Sequence, residues 1–137
     1  MIRPLSSLLL ALAISLPCQA ADVELYIDNI QEIKGALYWA VFDNEDDYEA
    51  DTSPVMSAQN RVQAKTLRIT LHDLPAGRYA VRLFHDANGN GELDSNMLGI
   101  PKEGYGFSNG AGKFGPASYE DAAVDVNDDS RIDVRLR

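Results

Sequence analysis

The sequence has little of three features that define common protein classes: cysteine, basic side chains and long apolar runs. Its 137 residues include one cysteine, Cys18, so a scaffold of intrachain disulfides is excluded. The sequence has 12 basic and 21 acidic side chains, for a net charge of -9, whereas nucleic acids and anionic membranes attract basic proteins. The apolar run at residues 8–16 is too short to span a bilayer. We therefore expect neither nucleic-acid binding nor stable membrane insertion.

Residues 1–20 have the organisation of an export signal. Arg3 precedes the apolar run, and the small residues Cys18 and Ala20 suit cleavage after Ala20. A lipid-modified Cys18 is the alternative, for which Pro17 provides a poor approach. We predict a signal peptide at 1–20 and a single soluble domain at 21–137, exported to the periplasm.

The rest of the chain lacks helical periodicity and alternates between apolar and polar residues over short segments. This pattern predicts an all-β fold, an antiparallel two-sheet β-sandwich of about seven strands, immunoglobulin-like or transthyretin-like, with one long irregular loop at 86–119. Segment 36–42 is apolar on both faces and should be central, while 131–137 carries cations on one face and should lie at an edge. The six carboxylates at 43–51 predict a solvated loop. The remaining strands are predicted at 23–27, near 62, and at 66–72, 79–84 and 122–126.

The long loop begins with the spacing D-x-N-x-N-G-x-x-D. Its candidate metal ligands are Asp86, Asn88, Asn90, Glu92 (through its carbonyl) and Asp94. Alternate oxygens in a tight loop suit calcium, a hard cation that takes six or more oxygen ligands. The sequence therefore predicts calcium as the cofactor of this loop.

The calcium pattern is incomplete, and a second interpretation stays open. Met97 occupies the position of the bidentate glutamate, so a further carboxylate from Glu103, Glu120 or Asp121 would be required. Without an ion, the same residues form an Asn/Gly-rich turn whose side chains bond their own backbone.

Four aromatic residues follow the D-x-N-x-N-G-x-x-D segment, in a glycine-rich part of the long loop without strand patterning. Tyr105, Phe107, Phe114 and Tyr119 are candidates for contacting a ligand, because aromatic side chains on loops often stack on binding partners. The alternative, which we favour, is a small satellite core beneath the loop.

Two catalytic patterns are present without their usual context. Gly106–Gly110 matches G-x-S-x-G around Ser108, but no helix follows it and no histidine lies beyond residue 85. His85 next to Asp86 could take part in a metal site with Asp94, although a structural histidine is the favoured interpretation.

Two sets of motifs resemble known families. The segment Leu-Pro-Ala-Gly-Arg-Tyr-Ala-Val at 74–81 resembles transthyretin-like and carboxypeptidase-regulatory-like sandwiches. The motifs F-H-D-x-N-x-N-G-x-x-D at 84–94 and G-I-P-x-E-G-Y-G-F-S-N at 99–109 resemble a domain-of-unknown-function family of exported bacterial proteins. That resemblance covers residues 22–137 and implies a periplasmic β-sandwich without an established activity.

Three hypotheses about function follow. The first is a non-enzymatic module whose 86–119 loop, held by calcium, binds an unidentified ligand or protein. The second is a metal-dependent enzyme using His85 with Asp86 or Asp94. The third is a structural subunit that pairs through an edge strand.

Overall fold

The computed structural model describes residues 13–15, 20–127 and 130–137. The predicted signal peptide therefore lies mostly outside the described residues. Within these residues, eight strands and two short helices follow one another. They are β1 (Ala20–Asp28), β2 (Ala36–Phe42), α1 (Glu45–Ala50), β3 (Met56–Arg61), β4 (Leu67–Pro75), β5 (Gly77–Asp86), β6 (Tyr105–Phe107), a 3₁₀ turn (Ser108–Gly110), α2 (Tyr119–Ala122), β7 (Val124–Val126) and β8 (Arg131–Arg135).

The strands form two sheets, which confirms the predicted β-sandwich. One sheet has the order β4-β1-β8, and the other has the order β3-β2-β5-β6 with β7 paired to the start of β5. As predicted, the doubly apolar strand β2 lies inside its sheet and β8 lies at an edge. The antiparallel prediction is wrong for one pair, because β1 and β8 run parallel. These strands come from opposite ends of the chain, so no tight hairpin imposes an antiparallel direction.

The main core fills the space between the two sheets. Alternate residues of each strand are buried, for example Leu25 on β1, Val41 on β2 and Val134 on β8. Burying each such side chain contributes roughly 1.5–3 kcal/mol to folding. A second, smaller core lies on the other side of the β2 and β5 strands, where α1 and α2 pack.

The solvated loop predicted at 43–51 is wrong, because this segment contains helix α1. The side chain of Asn44 caps the helix by accepting a hydrogen bond from the Asp47 backbone N–H at 2.9 Å. Acidic residues in the first turn interact favourably with the positive end of the helix dipole. The Tyr48 side chain packs in the second core and holds the helix there. A helix of six residues is too short to display a periodic apolar stripe, which explains the error.

The long irregular loop predicted at 86–119 is shorter than expected. The strand β6 and the 3₁₀ turn interrupt it, so the irregular stretch between strands runs over residues 87–104. The prediction of a strand at 122–126 is also corrected at its start, since Ala122 belongs to α2. The strand expected near residue 62 is β3, which ends one residue earlier, at Arg61.

Candidate functional site

The outer face of the larger sheet carries a row of aromatic side chains. Tyr38 on β2 pairs with Phe84 on β5, and Phe84 pairs with Tyr105 on β6. The Tyr38 and Phe84 rings are stacked, with centroids 5.1 Å apart and planes within 4° of parallel. Because directly opposed residues share a face and touch, these three side chains form a continuous aromatic floor.

A second row of side chains lies beside the aromatic row on the same face. It consists of Ala40 on β2, Arg82 on β5 and Phe107 on β6. Alternation along the strands places both rows on the side opposite the main core. Arg82 therefore brings a positive charge to the edge of an otherwise apolar surface.

The guanidinium of Arg82 is held in place from two sides. It lies over the rings of Phe42 and Tyr48, 4.9 Å from each centroid. Its buried Nη2 atom also forms an ion pair with Asp51, the residue that caps the C-terminus of α1. Arg82 is thus a fixed cation that shares its charge with Asp51.

The chain between β5 and α2 folds over the aromatic floor and encloses a cleft of about 550 Å³. This volume lies within the range of small-molecule sites, about 300–1,000 Å³. Most of the lining is apolar or aromatic, and Asp51, Arg82 and Lys113 supply the charged groups. The covering chain contributes Leu93, Gly99, Ile100, Pro101, Lys113, Phe114, Gly115 and Pro116 to the lining.

Large apolar side chains stand in solvent on this covering chain. Phe114 and Ile100 line the cleft and are 103% and 56% exposed, respectively. Met97 and Leu98 lie on the same segment and are also exposed. Solvent-exposed apolar groups gathered at one place on a protein are typical of a binding surface.

The predicted metal loop is folded as a network of hydrogen bonds. The buried carboxylate of Asp86 accepts bonds from the backbone N–H groups of Gly89, Asn90 and Gly91, the last at 2.7 Å. The side-chain amides of Asn88 and Asn90 donate to Asp94. These two bonds, with that from Asn90 contributing most, lower the pKa of Asp94 below its usual value. The Asn/Gly-rich turn is therefore satisfied by its own groups.

Of the carboxylates expected to complete the metal loop, the structure brings Glu103 to it. The Glu103 carboxylate accepts hydrogen bonds from the backbone N–H groups of Ala87 at 2.6 Å and Asp94 at 3.0 Å. Glu120 instead pairs with Arg78. Glu103 thus ties the two ends of the loop together. Within residues 13–15, 20–127 and 130–137, no three His, Cys, Asp or Glu side chains are arranged to hold a metal ion.

The four candidate aromatic residues have different positions. Tyr105, Phe107 and Phe114 line the cleft. Tyr119 is buried in the second core, where its hydroxyl donates to the Arg78 carbonyl and its ring packs edge-on against Tyr48. Burial raises the pKa of Tyr119 above its usual value. The loop aromatics therefore divide between the cleft and the second core.

Ser108 and His85 serve as structural residues in this fold. Ser108 is fully buried, and its hydroxyl accepts from the Val81 N–H at 2.8 Å and donates to the Ala122 carbonyl. This burial removes the exposed hydroxyl that a nucleophile elbow requires. The buried ring of His85 bonds through Nε2 to the Lys34 carbonyl at 2.7 Å, which fixes that ring nitrogen as the donor.

Several cleft residues are not predicted from the sequence pattern, namely Tyr38, Asp51, Arg82 and Phe84. The sequence does carry a signal for Tyr38 and Phe84, since the predicted strands at 36–42 and 79–84 have apolar or aromatic residues on both faces. A sheet face that is apolar on the side away from the main core must be covered by another part of the chain, by a ligand or by a partner. Which side chains meet on this face depends on the strand register, and the sequence pattern leaves the register open.

No helix in the described part of the chain is long and apolar enough to cross a membrane. The model of a family of uncharacterised proteins conserved in bacteria (DUF2141) matches residues 25–133 of the 137-residue chain. The chain belongs to this family, and the matched residues include the cleft and most of both sheets. No curated protein and no solved structure matches the chain.

Proposed function

We propose that this member of the DUF2141 family is a ligand-binding module of the bacterial periplasm. Its ligand is a small molecule with an apolar or aromatic group, which enters the cleft between the aromatic floor and the covering chain. The observation that carries this proposal is the cleft of about 550 Å³ lined mainly by aromatic and aliphatic side chains. Small-molecule sites combine such a lining with a few polar groups that fix the orientation of the ligand.

The position of Phe114 supports this function on energetic grounds. Its side chain lines the cleft while fully exposed to solvent, so it adds nothing to the burial that stabilises the fold. Covering it with a ligand would gain about 25 cal/mol for each Å² of apolar surface removed from water. The floor residues Tyr38 and Phe84 offer aromatic rings to the same ligand from the other side.

Binding of the neutral apolar dye Nile red to the purified protein tests this proposal. We expect a saturable rise in dye fluorescence that weakens by about three- to tenfold in apparent affinity in Phe114→Ala, because a buried aromatic contact is lost. Met97→Ala is the matched control, since Met97 is equally exposed on the same segment but lies outside the cleft lining. Neither variant should change the melting temperature, because neither side chain is packed.

A second pair of variants places the dye on the floor of the cleft. Tyr38→Ala removes half of the stacked pair, whereas Tyr26→Ala removes a tyrosine from β1 that lies between Arg68 and Arg131. We expect the first to weaken dye binding and the second to leave it unchanged. Equal binding by wild type, Phe114→Ala and Tyr38→Ala would contradict a site in this cleft.

A role for calcium forms a separate part of the proposal. The side chains of Asp86, Asn88, Asn90 and Asp94, with Glu103 beside them, are all oxygen donors, as a hard cation requires. Calcium binding would require the two asparagine amides to turn, so that their oxygen rather than their nitrogen atoms face an ion held beside Asp94. The ion would then brace the chain that covers the cleft.

Thermal melts in EGTA and in millimolar calcium test this role. A ligand that binds only the folded state raises its melting temperature. We expect calcium to do so for the wild type and for Asp46→Ala, which removes an exposed carboxylate from α1. Asp94→Ala should lose the effect. Identical wild-type melts in EGTA and calcium would show that the loop is an ion-free turn.

Export is the remaining part of the proposal, and it rests on the sequence of residues 1–20. We expect the protein in the periplasmic fraction of the cells that produce it, shortened after Ala20. Retention of residues 1–20 in cytoplasmic protein would contradict this location. The relationship to transthyretin-like sandwiches stays a prediction from the 74–81 motif.

A further inference from the structure

The charges around the cleft differ from those of the rest of the protein. The chain as a whole carries a net charge of -9, yet the charged side chains lining the cleft are the cations Arg82 and Lys113 and the anion Asp51. Tyr38 and Tyr105 add uncharged hydroxyl groups. The lining therefore has a local excess of positive charge in an acidic protein.

The two cations are not equally committed to protein partners. Lys113 is exposed and forms no ion pair with another described residue. Arg82 is fixed by two aromatic rings, and its buried Nη2 atom is already paired with Asp51. An anion is the chemical group that satisfies both side chains, since guanidinium and ammonium groups donate their strongest hydrogen bonds to anionic oxygens.

Resting on the proposed function, we propose that the ligand of the cleft is an apolar ring compound bearing an anionic group such as a carboxylate. The ring lies on the stacked Tyr38–Phe84 pair and under Phe114, and the anion lies between Lys113 and Arg82. Lys113 makes a new ion pair at the rim, whereas Arg82 shares its charge with Asp51. Asp51 competes with the ligand for Arg82, because both are anions that pair with the same guanidinium. The Asp51 side chain is 78% exposed at the C-terminal end of α1.

Three naphthalene derivatives of similar shape test this inference by direct titration. They are 2-naphthoate, the neutral 2-naphthamide and the cationic 2-naphthylmethylammonium, and isothermal titration calorimetry measures the binding of each compound. We expect the carboxylate to bind about three- to tenfold more tightly than the amide, given one exposed and one partly buried cation. The ammonium compound should bind most weakly, and added salt should reduce the preference.

Substitutions of the charged residues should move the carboxylate affinity in opposite directions. Lys113→Gln should lower it by about two- to fivefold, the range for an exposed ion pair, and leave amide binding unchanged. Lys102→Gln is the control, because it removes an exposed cation of the same covering chain outside the cleft lining. Asp51→Asn should raise carboxylate affinity, because it removes the charge that competes for Arg82. Asparagine is chosen because it accepts the left-handed backbone of residue 51, at φ 53°.

The outcomes separate this inference from the proposed function. If the carboxylate and the amide bind with equal affinity, and Phe114→Ala weakens both, the anion preference is overturned while the cleft remains the binding site. If Lys113→Gln and Asp51→Asn leave the carboxylate affinity unchanged, the assignment of the charged groups is wrong. If Tyr38→Ala and Phe114→Ala leave the affinity for all three compounds unchanged, the proposal that the cleft is the binding site is wrong.

Discussion

Replacing Ser108 with alanine should destabilise the protein strongly, although the change removes a single oxygen atom. The Ser108 hydroxyl joins three elements, because it accepts from the Val81 N–H of β5 and donates to the Ala122 carbonyl of α2. Ser108 is 0% exposed, so water cannot replace the lost oxygen. The variant therefore leaves one N–H and one carbonyl buried without this partner.

The expected loss follows from the cost of those two groups. Each buried polar group left without a partner costs about 1–3 kcal/mol, so Ser108→Ala should lower the free energy of unfolding by about 3 kcal/mol. Domains of this size have about 5–15 kcal/mol in total, which makes the loss a large fraction. The melting temperature should fall by roughly 10 °C.

Urea unfolding followed by Trp39 fluorescence measures this loss. Trp39 is buried in the main core and its indole N–H donates to Asn60 at 2.8 Å, so its emission reports unfolding. Ser57→Ala is the control, since Ser57 is exposed on β3, and it should change stability by less than about 0.5 kcal/mol. A Ser108→Ala variant as stable as Ser57→Ala would refute the structural role given to this serine.

Further predictions concern packing and ionisation. In Gly106→Ala, the added Cβ would lie 2.7 Å from Cγ1 of Val134, so urea unfolding should show a loss of about 1–3 kcal/mol; Gly77→Ala, with its nearest atom at 3.5 Å, should be near neutral. Burial raises the pKa of Tyr48 to about 12. Its contribution to stability should be complete below about pH 10 and decline as the pH rises through 12, and Tyr48→Phe should remove the last step of the ultraviolet tyrosinate titration. The pKa of Asp94 is lowered instead, so the stability that this carboxylate contributes should decline as the pH falls below about 4. In Asp94→Asn, the urea midpoint should therefore fall less steeply over this pH range than in the wild type. A Tyr48→Phe titration like that of the wild type, or an unchanged acid profile in Asp94→Asn, would contradict these assignments.

The sequence predicted those parts of the fold that depend on local alternation. The strands β1, β2, β4, β5 and β8 all carry a clear apolar face, and each lies where alternation placed it. The helix α1 and the strand β6 escaped prediction because they are too short for a period to be visible. The parallel pairing of β1 with β8 could not be inferred, since it joins residues about a hundred positions apart by packing rather than by a turn.

The candidate site was predictable only where its residues are neighbours in sequence. The loop from Asp86 to Asp94 was visible as a motif, because its spacing is local. The floor of the cleft depends on the register that brings Tyr38, Phe84 and Tyr105 into one row from three strands. One residue of slip in β2 would turn Tyr38 into the main core. Three of the loop aromatics line the cleft above that floor, whereas Tyr119 belongs to α2 and packs into the second core.

An amide NMR titration of the protein with 2-naphthoate locates the bound anion directly. We expect chemical shifts to change for the cleft residues, including Tyr38, Phe84 and Phe114, and we expect these changes to saturate together. The opposite surface of the sandwich, around Tyr26 on β1, should show no change. Shifts concentrated around Tyr26, or the absence of any saturable change in the cleft, would contradict the proposal that this cleft binds an apolar anion.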